Sequence, residues 1–274
     1  MNYRHAFHAG NFADVHKHVA LIALLEHLGK KSAPYFVLDT HAGRGRYDLS
    51  SREADRGGEW RHGVEAIRKA APATPLLQRY LSLANPARHE YLGSPLIVAA
   101  LLREKDRAVF VELNVEEAHG LKGALGQRKR VAVREEDGYA ALKAHLPPKE
   151  NRGLVLIDPP FEKESEFTDL ARGVEFAHKR WPNGIYCSWY PLKSGGAEQK
   201  LFGVIAAAGI KKVLRAELFV RPKDSPLGLN GSGLLIVNPP WQFDIQLRAL
   251  SNELVTILAA SGTGSVRIDW LVGE

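Results

Sequence analysis

Short apolar runs bounded by polar or turn residues recur along the chain, and this pattern predicts β-strands. Seven such runs occupy residues 35–40, 108–113, 131–134, 154–158, 185–190, 213–220 and 234–238. Apolar residues recur three and four positions apart in segment 11–28, before the first strand, and in segment 164–180, between two strands; this is the spacing of a helix face. Asn11 is a suitable N-cap for the first of these helices. The alternation of strands and helices predicts a doubly wound α/β fold with a mainly parallel sheet.

Residues 47–92 interrupt this alternation. The segment is polar and rich in arginine, and it shows helical patterns only near residues 61–71 and 76–83. Its length and position indicate an insertion in the first crossover of the sheet rather than a second domain. We therefore predict one domain over residues 1–274 with a helical insertion over residues 47–92.

Composition restricts the class of protein. The 274 residues are 45% hydrophobic and 25% charged, which excludes disordered and fibrous classes. Cys187 is the only cysteine, so a disulfide-bonded secreted scaffold is also excluded. No apolar stretch reaches the roughly 20 residues of a membrane span, and we expect a cytoplasmic protein. The net charge of +6 is compatible with a phosphate-bearing partner and equally with an ordinary basic enzyme surface.

A glycine-containing loop with the sequence DTHAGRGR, residues 39–46, follows the first predicted strand. Gly43 and Gly45 allow a tight turn and let a cofactor approach the backbone, although such a pair is often only a turn. The full dinucleotide fingerprint is missing because position 48 is Asp, which makes a nicotinamide dehydrogenase the least favoured interpretation. The spacing suits enzymes that use S-adenosylmethionine, where no pyrophosphate is bound.

Two further acids follow the next strands at the same predicted edge. Glu112 ends the second strand, where a carboxylate can accept hydrogen bonds from both ribose hydroxyls of a nucleoside. Asp137 and Gly138 follow the third strand, where the acid suits an adenine amino group. A simple exposed acid at Glu112 and a simple turn at Asp137 are the alternatives.

The most specific signal is Asp158-Pro159-Pro160-Phe161, directly after the apolar run LVLI. A carboxylate and a proline carbonyl can accept the two hydrogens of an exocyclic adenine amine, while the aromatic ring stacks on the extruded base. Asn238-Pro239-Pro240-Trp241 matches the same pattern. It follows the seventh predicted strand, which we expect to run antiparallel, so we interpret it as a structural turn at the opposite edge.

The N-terminal segment is rich in histidine. Its histidines are His5, His8, His16 and His18. The spacing is not typical of zinc and no thiolate is present, so we expect no metal centre. Tyr3, Lys17 and the histidines instead suit one wall of a pocket for a base and its phosphate.

Basic clusters provide candidate contacts for an RNA backbone. They comprise Arg44 with Arg46, residues 128–130, and Lys211 with Lys212. Taken singly, the last two are typical of a solvated surface. If RNA is the partner, positive charge should concentrate around Tyr3, Lys17, Arg44 and the arginines of the insertion.

The order of motifs resembles the RlmJ family of bacterial ribosomal RNA large subunit methyltransferases. The matching segments are YRHAFHAGNFADVHKH, LDTHAGRGRY, YLGSPL, VELN, EDGY, LIDPPF, GIYCSWYP and GSGLLIVNPPW. The resemblance implies a Rossmann-like class I S-adenosylmethionine-dependent methyltransferase fold with an inserted helical subdomain. It further implies methylation of the N6 amine of adenine 2030 in 23S ribosomal RNA, and we expect a monomer.

Carried over position by position, the resemblance implies roles for individual residues. The implied contacts to S-adenosylmethionine are His18, His41, Ser94, Glu112, Asp137, Gly138 and Asp158. Asp158 is also the implied catalytic carboxylate. The implied substrate-binding residues are Tyr3, His5, Lys17, Pro159, Pro160 and Phe161. The family commonly has Tyr where this chain has Phe161, so stacking is retained and a hydroxyl is lost.

Two alternatives remain open from the sequence. A DNA adenine-N6 methyltransferase would need the same Asp-Pro-Pro-aromatic motif, although the chain offers no separate DNA-reading domain. An RNA-binding assembly factor without catalysis would not need Asp39, Glu112 and Asp158, which are all present.

Overall fold

An eight-stranded mixed sheet forms the centre of the protein, with helices on both of its faces. The computed structural model describes residues 5–259 and 262–273. The strands are β1 (Phe36–Asp39), β2 (Arg46–Asp48), β3 (Glu90–Leu92), β4 (Arg107–Val111), β5 (Val131–Arg134), β6 (Gly153–Ile157), β7 (Ile185–Leu192), β8 (Val213–Phe219), β9 (Gly231–Val237) and β10 (Ser265–Val272). The α-helices are α1 (Phe12–Gly29), α2 (Arg52–Gly57), α3 (Val64–Ala70), α4 (Pro75–Ala84), α5 (Ser94–Leu101), α6 (Val115–Leu125), α7 (Gly138–His145), α8 (Glu166–Arg180), α9 (Gln199–Ala207) and α10 (Phe243–Leu258).

The strand order in the large sheet is β10-β8-β9-β7-β6-β1-β4-β5. The five strands from β7 to β5 pair in parallel, whereas β9 and β10 each run antiparallel to their neighbours. The chain moves outward from β1 to β4 and β5, and then returns to β6 on the other side of β1. This reversal opens a crevice at the carboxyl ends of β1 and β6, which is where open α/β sheets bind ligands. The predicted doubly wound α/β fold is confirmed.

Side chains that alternate along the central strands build two apolar cores. In β1, Val37 packs in the core that contains α1, α5 and α10, whereas Phe36 and Leu38 pack in the core that contains α7, α8 and α9. The same alternation occurs in β4 and β6, whose side chains are buried on both faces. Burial on both faces explains why these strands appear in the sequence as continuous apolar runs.

Helix α1 is buried on nearly all sides. It begins after Asn11, whose side-chain oxygen accepts a hydrogen bond from the backbone N–H of Asp14 at 2.9 Å, as predicted for an N-cap. It packs against α4, α5, α10 and β9. Three consecutive polar residues near its start, His16, Lys17 and His18, are therefore buried, although an amphipathic helix would expose at least one of them.

The segment that interrupts the alternation lies between β2 and β3, which pair with each other as an antiparallel ladder. Helices α2, α3 and α4 and a 3₁₀-helix (Glu59–His62) lie between these two strands. Val64 and Ile67 of α3 and Leu77 of α4 join the core around α1. The sequence indicated only helices here, so the short ladder is a new feature.

All seven predicted strands are present, with bounds that differ from the prediction by up to three residues. The predicted helices over 11–28 and 164–180 correspond to α1 and α8. Within residues 5–259 and 262–273, no helix has both the length and the apolar character needed to cross a membrane.

Candidate active site

A cleft of about 670 Å³ opens at the edge of the sheet where β1, β4 and β6 end. Its walls include twelve of the predicted site residues: His5, Lys17, His18, His41, Ser94, Glu112, Asp137, Gly138, Asp158, Pro159, Pro160 and Phe161. Tyr3 is the remaining predicted site residue and lies outside the described residues. The fold thus brings together every predicted site residue that it describes, while their individual roles remain predictions.

Two carboxylates lie at the crevice between β1 and β6. Asp39 ends β1 and is fully buried, and it accepts a hydrogen bond from the Ser94 hydroxyl at 2.6 Å. Burial, together with the charge of Asp158, raises the pKa of Asp39 to about 7, although the hydrogen bond from Ser94 opposes the shift. Asp158 follows β6, and its side chain is partly accessible from the cleft. The two acids therefore differ in environment, and Asp158 is the one open to a substrate.

Helix α1 carries the cation that contacts Asp158. The Lys17 ammonium group donates a hydrogen bond to Asp158 Oδ2 and lies 2.9 Å from Asp14 Oδ1. Asp14 Oδ2 accepts a hydrogen bond from the backbone N–H of Gly10 and lies 3.0 Å from His5 Nε2. Asp158 Oδ1 receives no hydrogen bond from the described residues, so this oxygen is available to a ligand in the cleft.

The charges of this cluster stabilise one another. Burial favours the neutral amine of Lys17, but Asp14 and Asp158 outweigh it and raise the pKa of Lys17 well above its usual value. Burial likewise opposes ionisation of Asp14, yet the charges of His5 and Lys17 hold the pKa of Asp14 well below its usual value. Lys17 is therefore a fixed ammonium group and Asp14 a fixed carboxylate at neutral pH.

The glycine loop after β1 contacts Glu112. Glu112 Oε2 accepts a hydrogen bond from the backbone N–H of Gly43 at 2.8 Å, and Oε1 accepts one from Asn114 at 2.8 Å. Gly43 has φ of 61°, and an added Cβ there would lie 2.4 Å from the Tyr47 hydroxyl. Burial raises the pKa of Glu112. Each carboxylate oxygen keeps a further lone pair, which suits the hydroxyls of a ribose.

The predicted Asp137-Gly138 pair begins α7. Asp137 Oδ1 caps this helix by accepting hydrogen bonds from the backbone N–H groups of Tyr139 and Ala140 at 3.0 and 2.9 Å. At Gly138, a Cβ would lie 2.4 Å from the backbone oxygen of Thr40 and 2.7 Å from the His41 ring. Only glycine permits this close approach of α7 to the loop after β1. Asp137 thus has a structural role as a helix N-cap, which differs from the simple turn named as the alternative, and it also lines the cleft.

Of the two predicted histidine contacts, His18 is buried and His41 is partly buried, and both are neutral. Burial lowers the pKa of His41 to about 4 and that of His18 to about 3. His18 Nδ1 lies 2.7 Å from the hydroxyl of Tyr91 on β3, and the two rings stack with centroids 5.8 Å apart. His41 Nδ1 lies 2.8 Å from the Thr40 hydroxyl. A neutral imidazole can offer a hydrogen bond to a cofactor without adding charge.

Phe161 forms an aromatic wall next to Asp158. Its φ of 51° lies in the left-handed region, which is uncommon for a bulky residue. Its ring packs against Phe167 and Trp189, with centroids 4.8 and 5.6 Å away. These contacts hold an otherwise strained conformation, as is typical at functional sites.

The second Asp/Asn-Pro-Pro-aromatic motif lies at the opposite edge of the sheet, as predicted. Asn238 follows the antiparallel strand β9, and its side-chain amide donates hydrogen bonds to the backbone oxygens of Pro182 and Gly184, at 2.8 and 2.9 Å. Both acceptors lie just before β7 begins. Asn238 is therefore a structural residue, and Trp241 leads into α10 with 85% of its surface exposed.

The remaining N-terminal histidines, and Arg44 and Arg46 of the basic clusters, have protein partners. His8 Nδ1 lies 2.9 Å from Glu59, and His16 Nδ1 lies 3.0 Å from the Ser232 hydroxyl. In the described residues, no group of three or more histidine, cysteine or acidic side chains is arranged to hold a metal ion. Arg44 forms a two-point ion pair with Glu117, and Arg46 pairs with Glu90.

Sequence reasoning did not assign a site role to several residues of the cleft. Asp14 had a recognisable signal, because its position three residues before Lys17 puts both on one helix face. Trp189 and Lys193 reach the cleft from β7 and the loop after it. The Tyr139 hydroxyl donates a hydrogen bond to Glu166 at 2.8 Å, which joins α7 to α8. Contacts between distant elements, such as the one between α7 and α8, cannot be predicted from a local sequence pattern.

The cleft fits the nucleoside portion of S-adenosylmethionine. Glu112 offers acceptors suited to ribose hydroxyls, and Gly138 lines the cleft where α7 approaches the loop after β1. His18, His41 and Ser94 line the cleft, as expected for further contacts to this cofactor. Asp158 and Phe161 lie in the same cleft, so a second planar group could meet the cofactor there.

Comparisons with known proteins agree with this arrangement. A family model described as "Ribosomal RNA large subunit methyltransferase D, RlmJ" matches residues 32–272. Proteins named ribosomal RNA large subunit methyltransferase J from Haemophilus influenzae and Escherichia coli are 38% and 37% identical, over the full length of both chains in each comparison. A crystal structure of the Legionella pneumophila protein LPL1258 is 33% identical, covers 96% of this chain and 98% of its own, and superposes with a TM-score of 0.87.

Proposed function

The chain belongs to the RlmJ family of ribosomal RNA large subunit methyltransferases, and we propose that it methylates the N6 amine of an adenine in 23S ribosomal RNA. The methyl donor is S-adenosylmethionine. The observation that carries the choice of an adenine amine is the Asp158 carboxylate at the cleft, held by Lys17 and followed by Pro159, Pro160 and Phe161. A ribosomal RNA substrate implies that the enzyme acts in the cytoplasm.

The exocyclic amine of adenine is a poor nucleophile because its lone pair is delocalised into the ring. Asp158 Oδ1 and the Pro159 carbonyl oxygen are two acceptors adjacent in the chain, one for each amine hydrogen. Accepting both hydrogens orients the amine and favours the localised lone pair. Phe161 stacks on the base once it has been extruded from the RNA.

Lys17 holds the Asp158 carboxylate in place. Its ammonium group donates a hydrogen bond to Asp158 Oδ2, and this charge-assisted bond restricts rotation of the carboxylate and leaves Oδ1 available to the cleft. Asp14 and Gly10 fix the ammonium group from the other side. The first turn of α1 thus determines where the catalytic carboxylate points.

S-adenosylmethionine, when bound, supplies a methyl group already activated on a positively charged sulfur. The protein therefore contributes positioning and electrostatics rather than a strong base. Glu112, Asp137, His18, His41 and Ser94 would hold the cofactor. After transfer, the nitrogen loses one hydrogen as a proton, and Asp158 is the acceptor that leads it to water.

The test is transfer of labelled methyl groups to unmodified 23S ribosomal RNA by the wild-type protein and by Asp158→Ala. We expect the wild type to modify one adenine and the variant to lose at least about 100-fold in kcat, because both orientation and electrostatic stabilisation are removed. Glu164→Ala, at an exposed acid just outside the cleft lining, is the matched control and should retain full activity.

Mapping of the modified nucleotide decides the substrate. Modification of N6 on one adenine of the ribosomal RNA, with no transfer to an adenine-containing DNA duplex, supports the proposal. Preferential transfer to DNA would overturn the choice of substrate. Equal rates for the wild type and Asp158→Ala would overturn the role of the carboxylate.

A further inference from the structure

A buried chain of hydrogen bonds connects the start of α1 with the aromatic wall of the cleft. Trp189 Nε1 lies 3.0 Å from the Ser232 hydroxyl oxygen, and the same oxygen lies 3.0 Å from His16 Nδ1. His16 belongs to α1, Ser232 to β9 and Trp189 to β7. His16 and Ser232 are fully buried, whereas Trp189 reaches the cleft.

The direction of one hydrogen bond in this chain is fixed by chemistry. The indole N–H of Trp189 can only donate, so the Ser232 hydroxyl oxygen accepts from it. Burial lowers the pKa of His16 to about 4, so its ring is neutral, and its Nδ1 shares a hydrogen bond with the same hydroxyl group. These two contacts hold the Ser232 hydroxyl group in place and orient the plane of the Trp189 ring.

The Trp189 ring in turn contacts Phe161. The two rings meet edge to face, with centroids 5.6 Å apart and planes at 79°. Phe161 holds a left-handed backbone conformation, which is strained for a residue other than glycine. Trp189 and Phe167 are the aromatic neighbours that hold its ring in place.

We infer that Trp189 is a positioning residue for methyl transfer: held by Ser232 and His16, it sets the orientation of the Phe161 ring on which the target base stacks. This inference rests on the proposed function. It gives a functional reason for a buried polar chain, because hydrogen bonds in a buried site restrict the orientation of the side chains that they join. It also makes α1 the common support of both substrate contacts, because Lys17 holds Asp158 and the adjacent His16 holds Trp189 through Ser232.

Ser232→Ala tests the inference with the smallest change. It removes the acceptor for Trp189, so the indole N–H turns toward another partner and the Phe161 ring loses its fixed neighbour. Binding of RNA depends mainly on phosphate contacts, whereas methyl transfer depends on the stacked base. We expect kcat on 23S ribosomal RNA to fall about tenfold, with the KM for RNA and the dissociation constant of S-adenosylmethionine each within about twofold of wild type.

Ser188→Ala is the matched control. Ser188 is a buried serine next to Trp189 on β7, and its hydroxyl has no hydrogen-bond partner among the described residues. The chemical change is identical, but no hydrogen bond to an aromatic ring is lost, so we expect wild-type kinetics. A kcat for Ser232→Ala equal to that of Ser188→Ala would overturn the inference.

Trp189→Phe provides a second test that leaves Ser232 and the core intact. Phenylalanine keeps a ring beside Phe161 but has no N–H to be held, so kcat should fall as in Ser232→Ala. If both residues act through one hydrogen bond, the double variant should be no slower than the slower single variant. If the fold-losses in kcat of the two single variants multiply in the double variant, the two substitutions act independently, and the inference would be overturned.

The two proposals fail in different ways. Absence of methyl transfer to ribosomal RNA by the wild-type protein would contradict the proposed function. An active wild type whose kcat is unchanged by both Ser232→Ala and Trp189→Phe would contradict only the positioning role. Thermal unfolding of each variant shows whether the protein being assayed is folded. If Ser232→Ala is not folded, the kcat of Trp189→Phe tests the positioning role.

Discussion

Lys17 connects two carboxylates, Asp14 and Asp158, where little water reaches. Only 6% of the Lys17 side chain and 2% of the Asp14 side chain are exposed. Buried ion pairs contribute little to net stability, but removal of one partner leaves the other charge uncompensated. The cluster therefore serves the site rather than net stability, because the same ammonium group fixes the carboxylate that faces the substrate.

Lys17→Met should therefore affect both stability and activity. The variant leaves Asp14 and Asp158 without their cation, and we expect a loss of about 3–5 kcal/mol in the free energy of unfolding. We further expect kcat for methyl transfer to fall at least about 100-fold, because the Asp158 carboxylate loses the ammonium group that holds it in position at the cleft. Chemical denaturation and labelled methyl transfer measure the two effects.

Lys179→Met is the control for this prediction. Lys179 lies on α8, pairs with Glu175 one helical turn away, and is 68% exposed. Loss of such a surface pair should change the free energy of unfolding by at most about 0.5 kcal/mol and leave kcat unchanged. Equal effects of the two lysine substitutions would contradict the special role of Lys17.

At the scale of residues, the sequence predicted the acids that follow parallel strands. Glu112 and Asp158 end two such strands, and parallel strands present their carboxyl ends at one edge, so the two acids had to converge. The sequence could not predict the bond from Ser232 to Trp189, because 43 residues separate them and only the antiparallel pairing of β7 with β9 brings them together. Lys17 and Asp158 are separated by 141 residues, so the sequence predicted a place for the lysine in the pocket wall but not its contact with Asp158.

At the scale of elements, the region between β2 and β3 touches the segment that carries the site. Gly63 precedes α3, and a Cβ at this position would lie 2.0 Å from the backbone oxygen of Gly10 and 2.6 Å from the carbonyl carbon of Asn11. The N–H of Val64 donates a hydrogen bond to the same Gly10 oxygen at 2.8 Å. Backbone meets backbone here, so neither side can yield by a side-chain rotation.

Gly63→Ala should consequently displace the segment before α1. Because Gly10 donates its N–H to Asp14, the displacement reaches the ion pairs of Lys17. We expect a loss of about 1–3 kcal/mol in the free energy of unfolding, the usual cost of an overpacked contact, and a fall in kcat. Denaturant unfolding and methyl-transfer kinetics measure these changes.

Gly123→Ala is the matched control for Gly63→Ala. Gly123 lies within α6, and a Cβ there meets no atom within 4 Å. Alanine is the better helix former, so we expect a gain of about 0.5–1 kcal/mol with unchanged kcat. If Gly63→Ala behaves like Gly123→Ala, the close approach of α3 to the N-terminal segment does not support the site.

The elements that the sequence missed lack a strong local signal. Strand β10 is an edge strand that is mostly exposed, so its residues show no continuous apolar run. Strands β2 and β3 have three residues each and are stabilised by pairing Tyr47 with Tyr91, which lie 44 residues apart. By contrast, β1, β4 and β6 are buried on both faces, and that burial made them visible in the sequence.

At the scale of the whole molecule, the excess positive charge is distributed differently from the simplest expectation. Three of the arginines in the regions expected to face RNA have acidic partners: Arg44 pairs with Glu117, Arg46 with Glu90, and Arg61 with Asp55. Lys163 and Lys193, on the other hand, line the cleft near Phe161 and Trp189 and take part in none of the ion pairs found in residues 5–259 and 262–273. Glu162, Glu166 and Asp169 line the cleft on the side of Lys163, so Lys193 has the less acidic surroundings.

Lys193 should therefore contact a phosphate of the RNA next to the target nucleotide. We expect Lys193→Glu to weaken RNA binding at least about threefold at moderate salt, and to reduce the salt slope of the affinity by about 1, as loss of one phosphate contact does. The affinity for S-adenosylmethionine should not change, because Lys193 lies beyond Trp189 rather than beside Glu112. Lys200→Glu, the same reversal at an exposed lysine of α9 outside the cleft, is the control for net charge. If both reversals weaken binding equally at every salt concentration, RNA responds to the overall charge of the protein and Lys193 makes no specific contact.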